Sequence, residues 1–341
     1  MKFDVYGLGN ALVDMEFRVD DSFLRTHGID KGHMTLVDEN RLDALAHALR
    51  EHPHERISGG SAANTIYAVQ SFGGQAFYSC RLADDPTGRH FLEDLSRAGV
   101  RTNPNALLHD QPGQSGRCVV LVTSDADRTM NTFLGISTAL NPRDIDEEAL
   151  AHSRFLYIEG YLSSAESALQ AALAARESAQ ERGVTSAVSL SDVSMVNFCR
   201  EQLTRILGNG VDVLFCNEEE ALAWAKTDRL DIAARELSDI GRSVSITMGK
   251  HGCLVVEGDH QEAVPGYPAK AVDTNGAGDV FAGASLFALS RGLAAPSAAA
   301  FGNFSAAALV ESYGARFRSP SVYRATLRRF NQAAPGAGLP D

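Results

Sequence analysis

The chain has 341 residues, of which 44% are hydrophobic, and a formal net charge of −12. This size predicts one large α/β domain with an elaboration. The negative charge argues against a nucleic-acid partner, because phosphate backbones recruit basic surfaces. Apolar runs stay short of the roughly 20 residues that span a bilayer, and Asp4 falls where a signal peptide is apolar. We therefore expect a cytoplasmic enzyme with no membrane partner.

Strand-like and helix-like segments alternate along the chain. In chain order the main segments are strand 3–9, helix 41–49, strand 76–80, helix 88–98, β-rich run 118–123, strand 155–158, helix 163–182, and strands 185–190, 211–215 and 244–247. Their apolar periodicities and glycine stop signals carry these assignments. Strands that alternate with helices predict a doubly wound, mostly parallel sheet.

Two stretches depart from this alternation, at residues 15–38 and 114–135. In the first, polar and apolar side chains interleave from Met15 to Asp20, and the second contains the β-rich run. Interleaving of this kind is typical of a half-exposed sheet. Two ordinary surface hairpins are the alternative interpretation.

Residues 273–279, which read Asp-Thr-Asn-Gly-Ala-Gly-Asp, are the most informative segment, because an apolar run of helical length follows at once. Gly276 and Gly278 let backbone N–H groups approach a ligand. A glycine turn that opens a helix aims free N–H donors at one point, which suits a phosphate group. Asp279 would lie beside that phosphate and can take a proton from an attacking hydroxyl. Ordinary helix capping is the alternative.

Two further segments combine polar side chains with structured turns. Small residues at 58–63 open a helix-like run that contains Asn64, which can both donate to and accept from a sugar hydroxyl. Asn217 and Glu220 directly follow a buried strand, where their oxygens can hold Mg²⁺ through water. A plain helix start and an exposed first helical turn are the respective alternatives.

Together these segments resemble the PfkB, or ribokinase-like, family of carbohydrate kinases. The resemblance covers nearly the whole chain in the expected order. It rests on five segments: 9–14 as the end of a substrate-binding first strand, 59–64 and 273–279 as the N- and C-terminal signatures, 217–220 as the Asn-x-x-Glu motif, and 247–252 as the nucleotide loop. Asn275 departs from the Thr that many sugar-kinase members carry there. We expect no loss of function from this change, because Asn is also a capable cap.

The resemblance implies a ribokinase-like core at residues 1–14, 39–113 and 136–341, covered by a small β lid at 15–38 and 114–135. It also implies these roles: Asp279 as general base; Gly276, Ala277 and Gly278 as amide donors to the transferring phosphoryl group; Asp14, Gly60, Asn64 and Phe133 as substrate-binding residues; Thr247, Gly249, Gly252, Thr274 and Asn303 as nucleotide-binding residues; Asn217 and Glu220 as holders of Mg²⁺. For Arg128, a phosphate contact and an exposed lid side chain both stay open. For Phe133, core packing is an equal alternative.

The middle of the chain resembles the adenosine-kinase-like branch of that family, on residues 127–135, 158–162, 191–192 and 314–316. The implied reaction is ATP + adenosine to ADP + AMP, with Mg²⁺ as cofactor. A kinase for fructose, ribose or a related carbohydrate is the alternative. A catalytically silent sensor of a nucleoside or sugar is a third hypothesis. A homodimer is one of the assemblies compatible with this sequence.

Overall fold

The computed structural model describes residues 2–32, 34–52, 54–108, 113–125, 127–333 and 338–340. The strands are β1 Phe3–Leu8, β2 Leu12–Arg18, β3 Met34–Leu36, β4 His54–Gly59, β5 Ala76–Ser79, β6 Leu82–Ala83, β7 Arg101–Thr102, β8 Leu107–Leu108, β9 Gly116–Val122, β10 Arg128–Phe133, β11 Ser153–Glu159, β12 Thr185–Ser189, β13 Val211–Asn217, β14 Gly241–Thr247, β15 Cys253–Glu257 and β16 His260–Val264.

The helices connect these strands. They are α1 Asp21–Thr26, α2 Glu39–Ala48, α3 Ser61–Ser71, α4 Pro86–Ala98, α5 Glu147–Ala151, α6 Glu166–Glu181, α7 Val193–Phe198, α8 Arg200–Leu207, α9 Glu218–Ala225, α10 Leu230–Ser238, α11 Ala277–Ser290, α12 Ala295–Leu309 and α13 Pro320–Ala333. Short 3-10 turns lie at Gly135–Ala139, Pro142–Asp144, Gly160–Ser164 and Gly249–His251. Within the described ranges, no helix is both long and apolar enough to cross a membrane.

The main sheet runs in the order β16-β15-β14-β13-β12-β11-β1-β5-β7 across the described part of the chain. Neighbouring strands from β14 through β7 pair in parallel, while β15 and β16 add an antiparallel edge. Successive strand residues enter two different cores: Val5 belongs to the core that contains α3 and α11, whereas Tyr6 belongs to the core that contains α6. Helices therefore cover both faces, and the predicted doubly wound α/β fold is confirmed.

Helix boundaries follow local capping chemistry. Helix α4 begins after Asp85, whose side chain accepts from the Gly88 N–H, and it ends at Gly99, which has a φ of +90°. Helix α6 begins at Glu166, three residues later than its predicted start at 163, because the turn at Gly160–Ser164 comes first. A Cβ atom at Gly160 would lie 2.7 Å from the Leu190 oxygen, so this turn packs tightly against the next strand end.

A second, smaller sheet has the order β3-β10-β9-β2-β4 among the described residues. Met15 and Phe17 on one face pack with Leu42 and Leu49, while the other face covers the main sheet's strand ends. Strand β4 joins this sheet by antiparallel pairing with β2, although the sequence prediction placed residues 39–113 in the core. The paired residues are between 37 positions (Phe17 and His54) and 47 positions (Leu12 and Gly59) apart in the chain, so no local pattern could reveal the pairing. That this sheet acts as a separate lid stays a prediction.

Candidate active site

One cavity of about 310 Å³ lies between the small sheet and the main sheet. Its floor consists of residues at the carboxyl ends of five parallel strands: Asn10, Glu159, Ser189, Asn217 and Thr247. Ligands of open α/β sheets bind at this edge, because the strand ends leave a crevice between their connections. The cavity therefore brings together segments that are distant in sequence.

Asp279 lies in the first turn of α11, beside the first turn of α3. The Ser61 hydroxyl donates to Asp279 Oδ1 at 2.6 Å, and the Asn64 amide donates to Oδ2 at 2.8 Å. Burial raises the pKa of Asp279, while these two hydrogen bonds act against that rise. The side chain is therefore an oriented carboxylate whose basicity exceeds that of an exposed aspartate.

The turn before α11 has the geometry of an anion site. Gly276 adopts a φ of +72°, and a Cβ atom there would lie 2.1 Å from the Ala315 oxygen, so only glycine fits. The Ala277 N–H donates to the Thr274 oxygen at 3.3 Å. For the next two amides, those of Gly278 and Asp279, no backbone acceptor is found in the described residues. These two N–H groups are the donors that the helix start leaves for a ligand.

Asp14 faces the cavity from β2. Its carboxylate accepts no hydrogen bond from the described side chains or amides. Burial raises its pKa to about 7; the guanidinium groups of Arg316 and Arg128 act against this rise, and Asp279 and Glu16 add to it. A Cβ atom at Gly59 would lie 2.4 Å from this carboxylate, and one at Gly60 would lie 2.3 Å from the Asn10 oxygen. Glycine is thus required at both positions, beside the Asp14 carboxylate at 59 and beside the Asn10 carbonyl at 60.

Asn64 brings a second unpaired group to the same cavity. Its Nδ2 donates to Asp279, whereas its Oδ1 is buried without a hydrogen-bond partner among the described atoms. Buried polar atoms are seldom left unpaired, so an unpaired oxygen beside a cavity indicates a ligand donor. A hydroxyl group that donates to Asn64 would satisfy it.

Glu159 lies in the site, although the sequence predicted no role for it beyond the resemblance of residues 158–162 to the adenosine-kinase-like branch. Its Oε1 accepts from the Asn10 N–H and its Oε2 from the Ala62 N–H, both at 2.7 Å. Burial raises its pKa to about 7, and the amide hydrogen bonds counter this. One carboxylate thereby joins the loop after β1 to the start of α3. An acidic residue at the end of a buried strand was the available signal.

Asn217 and Glu220 form a reciprocal helix cap at the start of α9. The Glu220 N–H donates to Asn217 Oδ1 at 2.8 Å, and Asn217 Nδ2 donates to Glu220 Oε1 at 2.7 Å. Burial raises the pKa of Glu220 to about 7, with Asp192, Glu219 and Asp279 adding to the rise. Both side chains line the cavity, and they fit a hydrated Mg²⁺ because they offer oxygen atoms in a region of excess negative charge.

The five predicted nucleotide-binding residues do not all lie at the cavity. Thr247 lines the cavity, whereas Gly249, Gly252, Thr274 and Asn303 do not. Gly252 has a φ of +91°, and a Cβ atom there would lie 2.1 Å from the Val264 oxygen. The buried Asn303 amide donates to the oxygens of Val264 and Pro265, both at 3.1 Å. Asn303 therefore braces the segment against which the Gly249–Gly252 loop packs.

The small sheet presents alternate residues of β10 to the cavity. Met130 and Thr132 line it, together with Leu134. Phe133 points to the opposite side and packs with the core that contains Met15 and Phe17. The structure therefore does not bring Phe133 to the predicted substrate site, because strand alternation turns it away.

Arg128 begins β10 and pairs with Asp273 and Glu16; the Glu16 contact is 3.2 Å. Its side chain is 9% exposed, so it is not an exposed lid arginine. Two of its nitrogens, Nε and Nη1, are buried without a hydrogen-bond partner among the described atoms. It thus connects the small sheet to the first residue of the 273–279 loop.

The chain is similar to known kinases in sequence. The model of the pfkB family carbohydrate kinases matches residues 35–322. The chain is 26% identical over 336 residues to the adenosine kinase of Saccharomyces cerevisiae, covering 92% of this chain and 97% of that protein.

Solved structures of kinases are similar to this chain in fold. The adenosine kinase from Sinorhizobium meliloti is 34% identical, with a TM-score of 0.89 over 97% of this chain and 100% of that one. A probable sugar kinase protein from Rhizobium etli CFN 42 is 31% identical, with a TM-score of 0.87 and full coverage of both chains. The chain belongs to the pfkB family of carbohydrate kinases, on its adenosine-kinase-like branch, and is therefore a kinase that uses ATP as phosphoryl donor.

Proposed function

We propose that the acceptor is adenosine and that the products are ADP and AMP. The observation that carries the proposal is the convergence of Asp279, the unpaired oxygen of Asn64 and the unbonded carboxylate of Asp14 on one cavity. A ribose moiety offers several hydroxyl groups to such acceptors. Asp14 and Asn64 hold the sugar, and Gly60 allows its close approach.

In the proposed transfer, a sugar hydroxyl oxygen attacks the γ-phosphorus of ATP. The hydroxyl proton passes to Asp279, a new P–O bond forms to the sugar, and the bond to the β-phosphate oxygen breaks, leaving ADP. The N–H groups of Gly278 and Asp279 donate to the phosphoryl oxygens as their charge shifts. Ala277, whose N–H is already engaged, supports the turn. Positioning and charge stabilisation carry most of such a transfer.

Mg²⁺, when bound, neutralises phosphate charge. We assign its water-mediated binding to Asn217 and Glu220, whose acidic surroundings favour a cation. Across the described residues there is no cluster of three or more His, Cys, Asp or Glu that would bind a metal directly. Thr247 lies beside them and lines the nucleotide side, with Gly249 and Gly252 forming the adjoining turn and Thr274 the entry to the phosphate loop.

The apolar wall of the cavity favours a nucleoside over a simple sugar. Met34, Leu36, Met130 and Leu134 of the small sheet and its following turn lie opposite the polar floor. Such a surface suits the flat face of a base, which a simple sugar lacks. The similarity to the adenosine kinases of Saccharomyces cerevisiae and Sinorhizobium meliloti supports this choice.

A sugar kinase is the second candidate, favoured by the similarity over the full chain to a probable sugar kinase protein. An ATP-consumption screen against adenosine, guanosine, inosine, ribose and fructose separates the two. The expected result is the highest kcat/KM with adenosine. Turnover confined to ribose or fructose would replace the nucleoside with a sugar, and adenosine binding without turnover would indicate a silent sensor.

A further inference from the structure

We propose that residues 314–316 form a third loop of the site, and that Arg316 is a positioning residue that holds the substrate side of the cavity in register with the phosphate side. The inference rests on the proposed function, since it concerns binding of the acceptor. In the sequence, residues 314–316 indicated only the resemblance to the adenosine-kinase-like branch. Their contacts reach the C-terminal signature segment and residues on either side of the N-terminal one, and these two segments are about 200 residues apart in the chain.

Gly314 holds the start of the phosphate loop. Its N–H donates to Asp273 Oδ2 at 2.6 Å, and Asp273 Oδ1 accepts from the Asn275 N–H at 2.9 Å. Asp273 is 3% exposed and also pairs with Arg128. Its position therefore depends on Gly314 on one side and on the small sheet on the other.

Ala315 fixes the turn itself. It lines the cavity, and its carbonyl oxygen lies where a side chain on Gly276 would have to go. The left-handed turn that exposes the amides of Gly278 and Asp279 is thus packed directly on Ala315. A shift of this segment would move the turn.

Arg316 anchors the same segment to the substrate side. Its guanidinium donates to Ser58 Oγ at 2.6 Å and to Asp94 Oδ2 at 2.7 Å, and it lies over the ring of Tyr67 at 4.2 Å. Ser58 directly precedes Gly59 and Gly60, and Tyr67 belongs to α3, whose first turn carries Ser61 and Asn64. One side chain therefore contacts β4 and α3, which lie on either side of Gly60, and also α4, no residue of which lines the cavity.

The charge of Arg316 supports the same role. Its side chain is 3% exposed, and its Nη1 has no hydrogen-bond partner in the described part of the chain. A buried guanidinium is costly, so an anchor that served packing alone could be apolar. Arg316 is also the largest favourable charge acting on Asp14, and it lowers that carboxyl's pKa against the effect of burial. Removing it would leave Asp14 more protonated.

The test compares Arg316→Met and Arg316→Lys with a matched control. Arg81 makes a comparably buried pair with Asp144, at 2.9 and 3.1 Å, and neither residue lines the cavity. Arg81→Met therefore reproduces the loss of a buried ion pair without touching the site. We expect Arg316→Met to raise the acceptor KM about tenfold or more, with the ATP KM changed by less than about twofold. Arg316→Lys should recover part of the loss, and Arg81→Met should lower only the melting temperature.

Equal acceptor KM values in wild type and Arg316→Met, or a parallel rise for acceptor and ATP, would overturn the inference. If Arg316→Met does not fold, Asp94→Asn takes its place, because it weakens the anchor and leaves the guanidinium in position. A smaller rise in acceptor KM alone is then expected, and an unchanged value overturns the inference.

A failure of the proposed function and a failure of the inference about Arg316 give different results. If the wild type consumes no ATP with any acceptor, the kinase reaction on adenosine is removed. The inference is then decided by calorimetric titration with adenosine. Weaker binding by Arg316→Met than by Arg81→Met supports it; equal binding, or no binding by the wild type, overturns it.

Discussion

The acceptor half and the nucleotide half of the site are built differently. On the acceptor half, Asp14, Asn64 and Asp279 face one cavity and are flanked by close-packed glycines. On the nucleotide half, only Thr247 of the five predicted residues lines that cavity, while Asn303 serves as a buried brace. The acceptor half therefore gathers its predicted residues around one cavity, at the cost of burying carboxylates, whereas four of the five predicted nucleotide residues lie outside that cavity.

The buried carboxylates of the site lower the stability of the folded protein when they are charged. Asp14, Glu159 and Glu220 all have pKa values raised to about 7, mainly by burial, which means that their charged forms are disfavoured in the folded protein. Such groups are retained because bound hydroxyls or cations can compensate them.

The largest effect is expected for Asp279→Asn. Asparagine keeps the size of the side chain but cannot take the proton, so kcat should fall by at least ~10²-fold while the ATP KM stays nearly constant. Steady-state kinetics with both substrates varied would measure this. Turnover close to that of the wild type would remove Asp279 from the role of base.

Asp14→Asn should weaken acceptor binding and strengthen the fold. Loss of charge-assisted hydrogen bonds should raise the acceptor KM by about tenfold or more. The ligand-free variant should have a higher melting temperature near pH 8, since a carboxylate with a raised pKa destabilises the folded state there. Thermal unfolding alongside kinetics would test both. A lower melting temperature with an unchanged KM would contradict this role.

The pH dependence should separate activity from stability. As the pH falls below about 7, Asp14 gains a proton, and kcat/KM for the acceptor should decline. In the same range the folded protein binds more protons at Asp14, Glu159 and Glu220 than the unfolded chain does. These three groups therefore raise the free energy of unfolding as pH falls from about 7 towards 4.

A pH–rate profile and ligand-free melting temperatures over the same buffers would test this divergence. In Asp14→Asn the gain of stability towards low pH should be smaller. A wild-type profile in which kcat/KM and melting temperature fall together below pH 7 would contradict the assignment.

On the nucleotide half, Asn303→Ala should act through structure. Its loss leaves the Val264 and Pro265 oxygens without that donor, so we expect a destabilisation of about 1–3 kcal/mol. The ATP KM should rise by only a few fold, through a loosened Gly249–Gly252 loop. Chemical denaturation and ATP kinetics would measure the two effects. A rise in ATP KM of about 100-fold at unchanged stability would instead indicate direct nucleotide contact.

The smallest effect is expected for Phe133→Leu. Phe133 faces away from the cavity, so the acceptor KM should change by less than about twofold. Its neighbour provides the matched comparison: Met130→Ala removes part of the apolar wall and should raise the KM for adenosine more than that for ribose. Reversed sensitivities would mean that the small sheet presents its other face to the substrate.

The sequence predicted the doubly wound sheet because its strands carry continuous apolar runs between helical segments. It predicted the 273–279 turn because Gly276 and Gly278 precede an apolar helix. Both signals are local. In contrast, the pairing of β4 with β2, the turning away of Phe133 and the contacts of Arg316 depend on register and on residues distant in the chain. Local periodicity carries no information on the β4 pairing or on the Arg316 contacts, and for β10 it separates two faces without telling which of them meets the cavity.

The most direct test is ATP consumption with adenosine by wild type and Asp279→Asn in parallel. A site in which main-chain amides hold the transferring group beside one carboxylate predicts ADP and AMP formation by the wild type and a loss of at least ~10²-fold in the variant, with adenosine binding retained. Equal rates for the two proteins, or no turnover of any nucleoside or sugar by the wild type, would contradict this account.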